Sequence, residues 1–146
     1  MRLQKATRFA LYAILDLASD PEKQFSAAEI AERYGISVNH LSKVLRSLGR
    51  AGLVEAVRGA GGGYRFTGNA KRLTLLDLVR LFEDIDAAPG REPGDATPEG
   101  RALGGVLEEI HDIARATLSS ISVATMLKLI AEERRKAGDG LPAVAE

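Results

Sequence analysis

Ser37-Val38-Asn39-His40-Leu41-Ser42-Lys43-Val44-Leu45-Arg46-Ser47-Leu48-Gly49-Arg50-Ala51-Gly52 is the stretch on which the fold turns. Leu41, Val44, Leu45 and Leu48 recur at helical spacing and face a core. Asn39, Lys43, Arg46 and Arg50 fall on the opposite side, with His40 and Ser47 beside them. Ser37 is an N-cap, its hydroxyl placed to accept an amide hydrogen bond that the first turn leaves unpaired. Gly52 suits the left-handed residue that ends a helix. The helix has an apolar back and a basic front.

On the N-terminal side, Ser26-Ala27-Ala28-Glu29 is a capping-box sequence opening a short helix that runs to Tyr34. Gly35-Ile36-Ser37 leaves only a tight turn before the basic helix. Two short helices joined by a glycine-containing turn are the helix-turn-helix pattern, whose second helix enters a DNA major groove. On the C-terminal side, Leu53–Val57 reads as a strand, Arg58–Gly63 as a glycine-rich turn and Tyr64–Phe66 as the return strand. Arg58 and Arg65 stand at the base of this hairpin, placed to lie along a phosphate backbone or enter a minor groove. A basic outer face alone is commonplace on solvated helices. The glycines do not form a phosphate cradle, because Tyr64 stands where G-x-G-x-x-G needs its third glycine and no Lys-Ser or Lys-Thr follows. It is the combination of cap, tight turn, basic helix and glycine-tipped hairpin that points to a winged helix.

Ile36-Ser37, Leu41-Ser42-Lys43-Val44-Leu45, Ala51-Gly52-Leu53-Val54, Arg58-Gly59 and Gly62-Gly63-Tyr64 together resemble the Rrf2 family of bacterial winged-helix regulators. The opening Met1-Arg2-Leu3 and Tyr12-Ala13 are similar to that family's start. The resemblance covers Met1 to about Ile85 by motif and the remainder by architecture. It implies that the first helix packs behind the helix-turn-helix and that its start can touch DNA phosphates. It also implies three cysteines in the loop corresponding to Asp86–Arg101 in cluster-binding relatives, and, in the nitric-oxide-sensing branch, an aspartate ligand where Arg8 stands here. This chain has no cysteine, and an arginine does not ligate iron, so neither a cofactor nor a metal is expected.

The chain has 146 residues, with 20 Lys or Arg against 20 Asp or Glu. The balance conceals an asymmetry: Met1–Phe82 carries 13 cations and 7 anions, Glu83–Glu146 7 and 13. A basic front and an acidic rear attract DNA to one face only. Absence of cysteine excludes disulfides and thiolate metal sites and agrees with a reducing compartment. Met1–Ala18 is interrupted by Arg2, Lys5, Arg8 and Asp16, so it is not a signal peptide, and no apolar run approaches the ~20 residues of a membrane span. A cytoplasmic protein is expected.

In chain order, Leu3–Ala18 is a first helix, with Arg2, Lys5 and Arg8 on its basic N-terminal side. Gly68–Arg72 is a loop whose Lys71 and Arg72 extend the basic surface. Thr74 caps a helix with Leu75, Leu78, Val79 and Phe82 as its core stripe, ending near Ile85. Asp86–Arg101, with Pro89, Pro93 and Pro98, is a flexible or disordered loop. A long helix follows to about Leu118, on which Leu103, Leu107, Ile110, Ala114, Thr117 and Ile121 step in heptad fashion, with Val106 and Ile113 as a second apolar face. One side packs on its own domain and the other on a twin helix. Ser120 or Ser122 restarts a helix through Ile130, and Ala137–Glu146 is a frayed tail.

The expected architecture is thus mainly α with a small β-hairpin. A winged helix-turn-helix DNA-binding domain spans residues 1–85, a flexible loop 86–101, dimerisation helices 102–136 and a tail 137–146. The expected function is a homodimeric repressor reading a palindromic operator in double-stranded DNA without an iron–sulfur cluster and away from membranes, its effector unspecified. Ser37, Asn39, His40 and Lys43 are assigned to bases; Arg46, Arg50, Arg58 and Arg65 to backbone or minor groove; Arg2, Lys5, Lys71 and Arg72 to phosphates. The alternative is a winged helix used for protein–protein contact, which would not require the basic stripe. No nucleophile–base pair or carboxylate motif suggests catalysis. His111, near Glu108 and Asp112, reads as an ordinary helical histidine rather than a ligand.

Overall fold

The computed structural model describes residues 1–88 and 90–140, with side chains 139 and 140 outside that description. The chain order is α1 (Lys5–Ser19), α2 (Ala27–Tyr34), α3 (Val38–Arg50), β1 (Val54–Val57), β2 (Gly63–Phe66), α4 (Leu75–Phe82), α5 (Pro98–Ser120) and α6 (Val123–Gly140). It is the expected mainly helical fold with one hairpin.

α1 is the hub. Ala10, Ala13, Ile14 and Leu17 on its inner face are fully buried. Three alanines (Ala10, Ala13 and Ala18) let neighbouring backbones approach closely, and α3, α4 and α6 all pack against this helix. Leu41, Val44, Leu45 and Leu48 are the buried back of α3, as their spacing predicts. Ile30, Val54, Phe66, Leu78 and Val123 close the same core.

The turns follow from residue chemistry. The Ser26 hydroxyl accepts the Glu29 amide at 3.0 Å, the forward half of the expected capping box. The complete reciprocal box forms instead at α4, between Thr74 and Asp77. Gly35 sits at φ 64° between α2 and the α3 turn. At the end of α3, Gly52 takes φ 77°, and the Leu53 amide donates to the Leu48 carbonyl at 3.1 Å, closing a Schellman motif.

β1 and β2 pair antiparallel, with Glu55 opposite Arg65 and Val57 opposite Gly63. Phe25 adds a single bridge to the hairpin, exchanging hydrogen bonds with Tyr64 at 2.9 and 2.7 Å. The segment before α2 therefore tethers the wing.

Several boundaries differ from expectation. α1 begins at Lys5 rather than Leu3. α4 stops at Phe82 rather than near Ile85, because Glu83 is extended and its carboxylate reaches the start of α1. There it accepts the Gln4 amide at 3.2 Å and the hydroxyl of fully buried Thr7, an anion at a helix N-terminus. Leu76, not Leu75, is the buried leucine at the start of α4. The 86–101 segment, expected as a structureless loop, contains a 3-10 turn at Pro93–Ala96 closed by Glu92 and Asp95. Of the two serines expected to restart a helix, Ser122 caps α6, accepting the Thr125 amide at 3.1 Å. α6 continues past Lys136 to Gly140; Pro89 and the last six residues of the expected tail lie outside the described residues.

Candidate nucleic-acid interface

α3 presents its polar face outward because its four aliphatic residues hold the other side in the core. Asn39, Lys43, Arg46 and Arg50 are all exposed. None of the four has an ion pair among the described residues, and only Arg50 has a side-chain bond, to Ser47 Oγ at 3.2 Å. These are uncommitted donors on a rigid support, the arrangement that base edges and phosphates require.

The ends of the row are more constrained. The Ser37 hydroxyl accepts the His40 amide at 3.3 Å, so its oxygen is engaged as the N-cap. His40 is half-buried, its ring edge-on to Phe9 of α1 with centroids 4.9 Å apart. This aromatic pair joins the start of the basic helix to α1. Lys5, one turn before Phe9, lies on the same face of α1 and is exposed. Arg2 precedes the helix and is exposed; Arg8 is exposed but donates to the Tyr12 hydroxyl at 3.2 Å.

The wing separates its two arginines. Arg58 is exposed immediately after β1, toward the tip rather than the base of the hairpin, and has no ion pair among the described residues. Arg65 lies within β2 and pairs with Glu55 directly across the ladder. That carboxylate offsets its charge, whereas Arg58 keeps its own. Sequence alone gave no register and so did not reveal the pairing. Lys71 and Arg72 are exposed on a loop braced by the start of α6, where the Ala124 amide donates to the Ala70 carbonyl at 2.8 Å.

α5 has no buried residue. Leu103, Leu107 and Ile110 of the heptad row are more than half exposed, as are Val106 and Ile113, and Thr117 is also exposed. By helical angle these residues form one continuous arc. Val106 and Ile113 therefore widen the exposed seam rather than forming the side that meets the domain. That side is made by Arg115, which pairs with Asp86, and Leu118, both partly buried; Ala114, also partly buried, lies on the arc itself between Leu103 and Leu107. Ile121, past the end of α5, is also partly buried, and its carbonyl accepts the Leu75 amide at 2.9 Å.

The loop after α4 is fixed by ions. Asp86 pairs with Arg80 at 2.9 Å and with Arg115, and the Arg80 hydrogen bond, followed by the Arg115 charge, holds its carboxyl below the usual range. The His111 Nε2–H donates to the Ile85 carbonyl at 2.7 Å, which accounts for this histidine without a metal. Among the described residues no group of three or more His, Asp or Glu side chains could hold a metal ion, and the chain has no cysteine. Two guanidiniums converging on Asp86 are the opposite of an iron-binding donor set, so the residues present do not fit an iron–sulfur cluster. Among the described residues no helix is long and apolar enough to cross a membrane.

Comparison with known proteins agrees with this geometry. The Rrf2 family model, described as an iron-dependent transcriptional regulator, matches residues 3–129. A relative from Rhodopseudomonas palustris named as the HTH-type transcriptional regulator BadM is 54% identical over 140 residues, covering 96% of this chain and 90% of that one. The structure of T. potens IscR superimposes with TM-score 0.74 at 28% identity, covering 92% of this chain and 91% of that one. The B. subtilis cysteine regulator CymR does so with TM-score 0.74 at 27% identity over 88% and 98% of the two chains. With its winged helix, its basic α3 and a family match over most of its length, the chain belongs to the Rrf2 family of transcriptional regulators, as a member without cluster-ligating cysteines.

Proposed function

We propose that this protein is a homodimeric repressor that reads a palindromic operator in duplex DNA without an iron–sulfur cluster. The observation that carries the reading is the uncommitted polar row of α3, braced by Phe9 and flanked by Arg58 on the wing. Asn39, His40 and Lys43 nearest the start of α3 take base edges, with Ser37 limited to its remaining hydroxyl proton. Arg46, Arg50 and Arg58 take backbone or minor groove, and Arg65, Arg2, Lys5, Lys71 and Arg72 are secondary phosphate contacts. Residues 1–85 form the DNA-binding unit and 102–136 the pairing unit. Twofold pairing through the α5 seam sets the two α3 helices about 34 Å apart, one turn of DNA. Repression is the activity that occupancy alone produces, and DNA as the target places the protein in the cytoplasm.

Selecting bound fragments from the source genome supplies the operator. With it, Lys43→Ala is expected to relax base preference at one position of each half-site, by about 1–3 kcal/mol. Arg58→Ala is expected to weaken binding to all sequences alike and to reduce the slope of log affinity against log salt by about 1 per wing. Fluorescence anisotropy across a salt series reads both. If both variants bind like the parent, the assigned surface is wrong. Iron content by elemental analysis is expected to be far below one atom per chain; stoichiometric iron would refute the cluster-free reading.

A further inference from the structure

A cleft of about 420 Å³ opens between α1, α2 and α6, away from the polar row of α3. That is within the size range of small-molecule sites. One wall is aliphatic: Leu15 of α1 faces Met126, Leu127 and Ile130 of α6. The other is aromatic: Tyr12 and Tyr34 stack in parallel, centroids 4.4 Å apart and planes inclined by 5°.

The polar groups are few and unequal. Asp16 is buried and holds two donors on one oxygen, its Oδ1 accepting the Tyr34 hydroxyl at 2.7 Å and an Arg33 N–H at 3.1 Å. Burial, and then the bond to Asp16, push the Tyr34 hydroxyl up to about 12, so it remains a protonated donor. The Arg33 guanidinium offsets the charge of this carboxylate within the lining itself. Arg134, by contrast, lines the cleft from α6 and has no ion pair among the described residues. One carboxylate and two guanidiniums leave the lining with a surplus positive charge. An occupant that satisfies every wall has a flat or branched apolar body and a single anionic head.

The geometry points to a binding site for a small apolar monocarboxylate, its body between the tyrosine pair and the α6 aliphatics and its head on Arg134. As the effector site of a DNA-binding regulator, this rests on the function proposed above; as a binding site it does not. Tyr34 immediately precedes the Gly35–Ser37 turn into α3, and α1 reaches α3 again through Phe9 and His40. An occupant bridging α6 to Tyr34 therefore acts on the support of the basic helix. By linkage, whatever it does to operator affinity the operator does to its affinity.

The test is titration calorimetry on the full chain without DNA, using 3-phenylpropanoate and 4-methylpentanoate, each beside its neutral amide. Saturable binding at one site per chain is expected, with a dissociation constant below about 1 mM for at least one acid. Arg134→Gln should weaken the acid about tenfold or more and leave the amide unchanged. Ile130→Trp, which fills the cleft, should abolish binding of both, with an unchanged circular dichroism spectrum showing that the fold persists. No saturation by about 10 mM with either acid would overturn the site. So would equal affinity for acid and amide, or binding indifferent to both substitutions. Operator affinity measured with and without saturating acid then tests the coupling, and an unchanged value would overturn it independently.

Discussion

Chains carrying both Leu107→Asp and Ile110→Asp are expected to sediment as folded monomers and to bind the operator about 10²–10⁴-fold more weakly than the parent. In the single chain these side chains are 54% and 57% exposed, so the substitutions remove almost nothing from the protomer's own core. In a pair joined along the α5 seam they would place four carboxylates between apolar helices. Each buried aliphatic is worth about 1.5–3 kcal/mol, and each unpaired buried charge costs several more. Dimerisation therefore fails while folding does not. Once the protomers separate, each half-site is bound alone, and the avidity of the joined pair is lost. Circular dichroism should show an unchanged spectrum, and sedimentation velocity should show a halved mass. A dimer that survives, or a monomer with parental affinity, would remove α5 as the pairing element.

What the sequence disclosed and what it withheld divide along one physical line. Periodicity and caps are local, and they located α2, α3 and the hairpin to within a residue or so. The α3 back of Leu41, Val44, Leu45 and Leu48 is buried as its spacing requires. Contacts between segments distant in sequence were not legible. Nothing in Thr7 and Glu83, 76 residues apart, announces that one would hold the other and end α4 early. Asp16 served as evidence against a signal peptide, yet it is the buried partner of Arg33 and Tyr34. Arg65 and Glu55 would have been paired in advance only with the hairpin register in hand. For the same reason charge counting could not see that Arg65 has a carboxylate partner and Arg58, among the described residues, has none. On α5 the heptad row was readable. The division of its flanks was not, because Val106 and Ile113 could not be told from a domain-facing side until Arg115 and Leu118 were seen to occupy that role.

A single methyl group at Gly63 is expected to damage both stability and DNA binding, although Gly63 touches no proposed DNA contact. A Cβ there would stand 2.4 Å from the Phe25 carbonyl oxygen and 2.9 Å from the Ser26 nitrogen. Both are backbone atoms, so no side-chain rotation relieves the clash. Phe25 must move, and with it the two hydrogen bonds to Tyr64 that tether the wing. Ser26 moves too, and its hydroxyl caps α2. Losing two backbone bonds at roughly 1 kcal/mol each, with some overpacking, puts the cost of Gly63→Ala at about 2–4 kcal/mol. Gly61 is the control. Its Cβ would meet open space, and only its φ of 76° disfavours a side chain, at about 1–2 kcal/mol. Thermal melts should therefore rank Gly63→Ala below Gly61→Ala. At a temperature where both are folded, Gly63→Ala should bind operator with the reduced salt slope of Arg58→Ala, since a displaced wing no longer brings Arg58 to the backbone. Equal melting points for the two variants, or a parental salt slope in Gly63→Ala, would show that the Phe25 bridge does not position the wing.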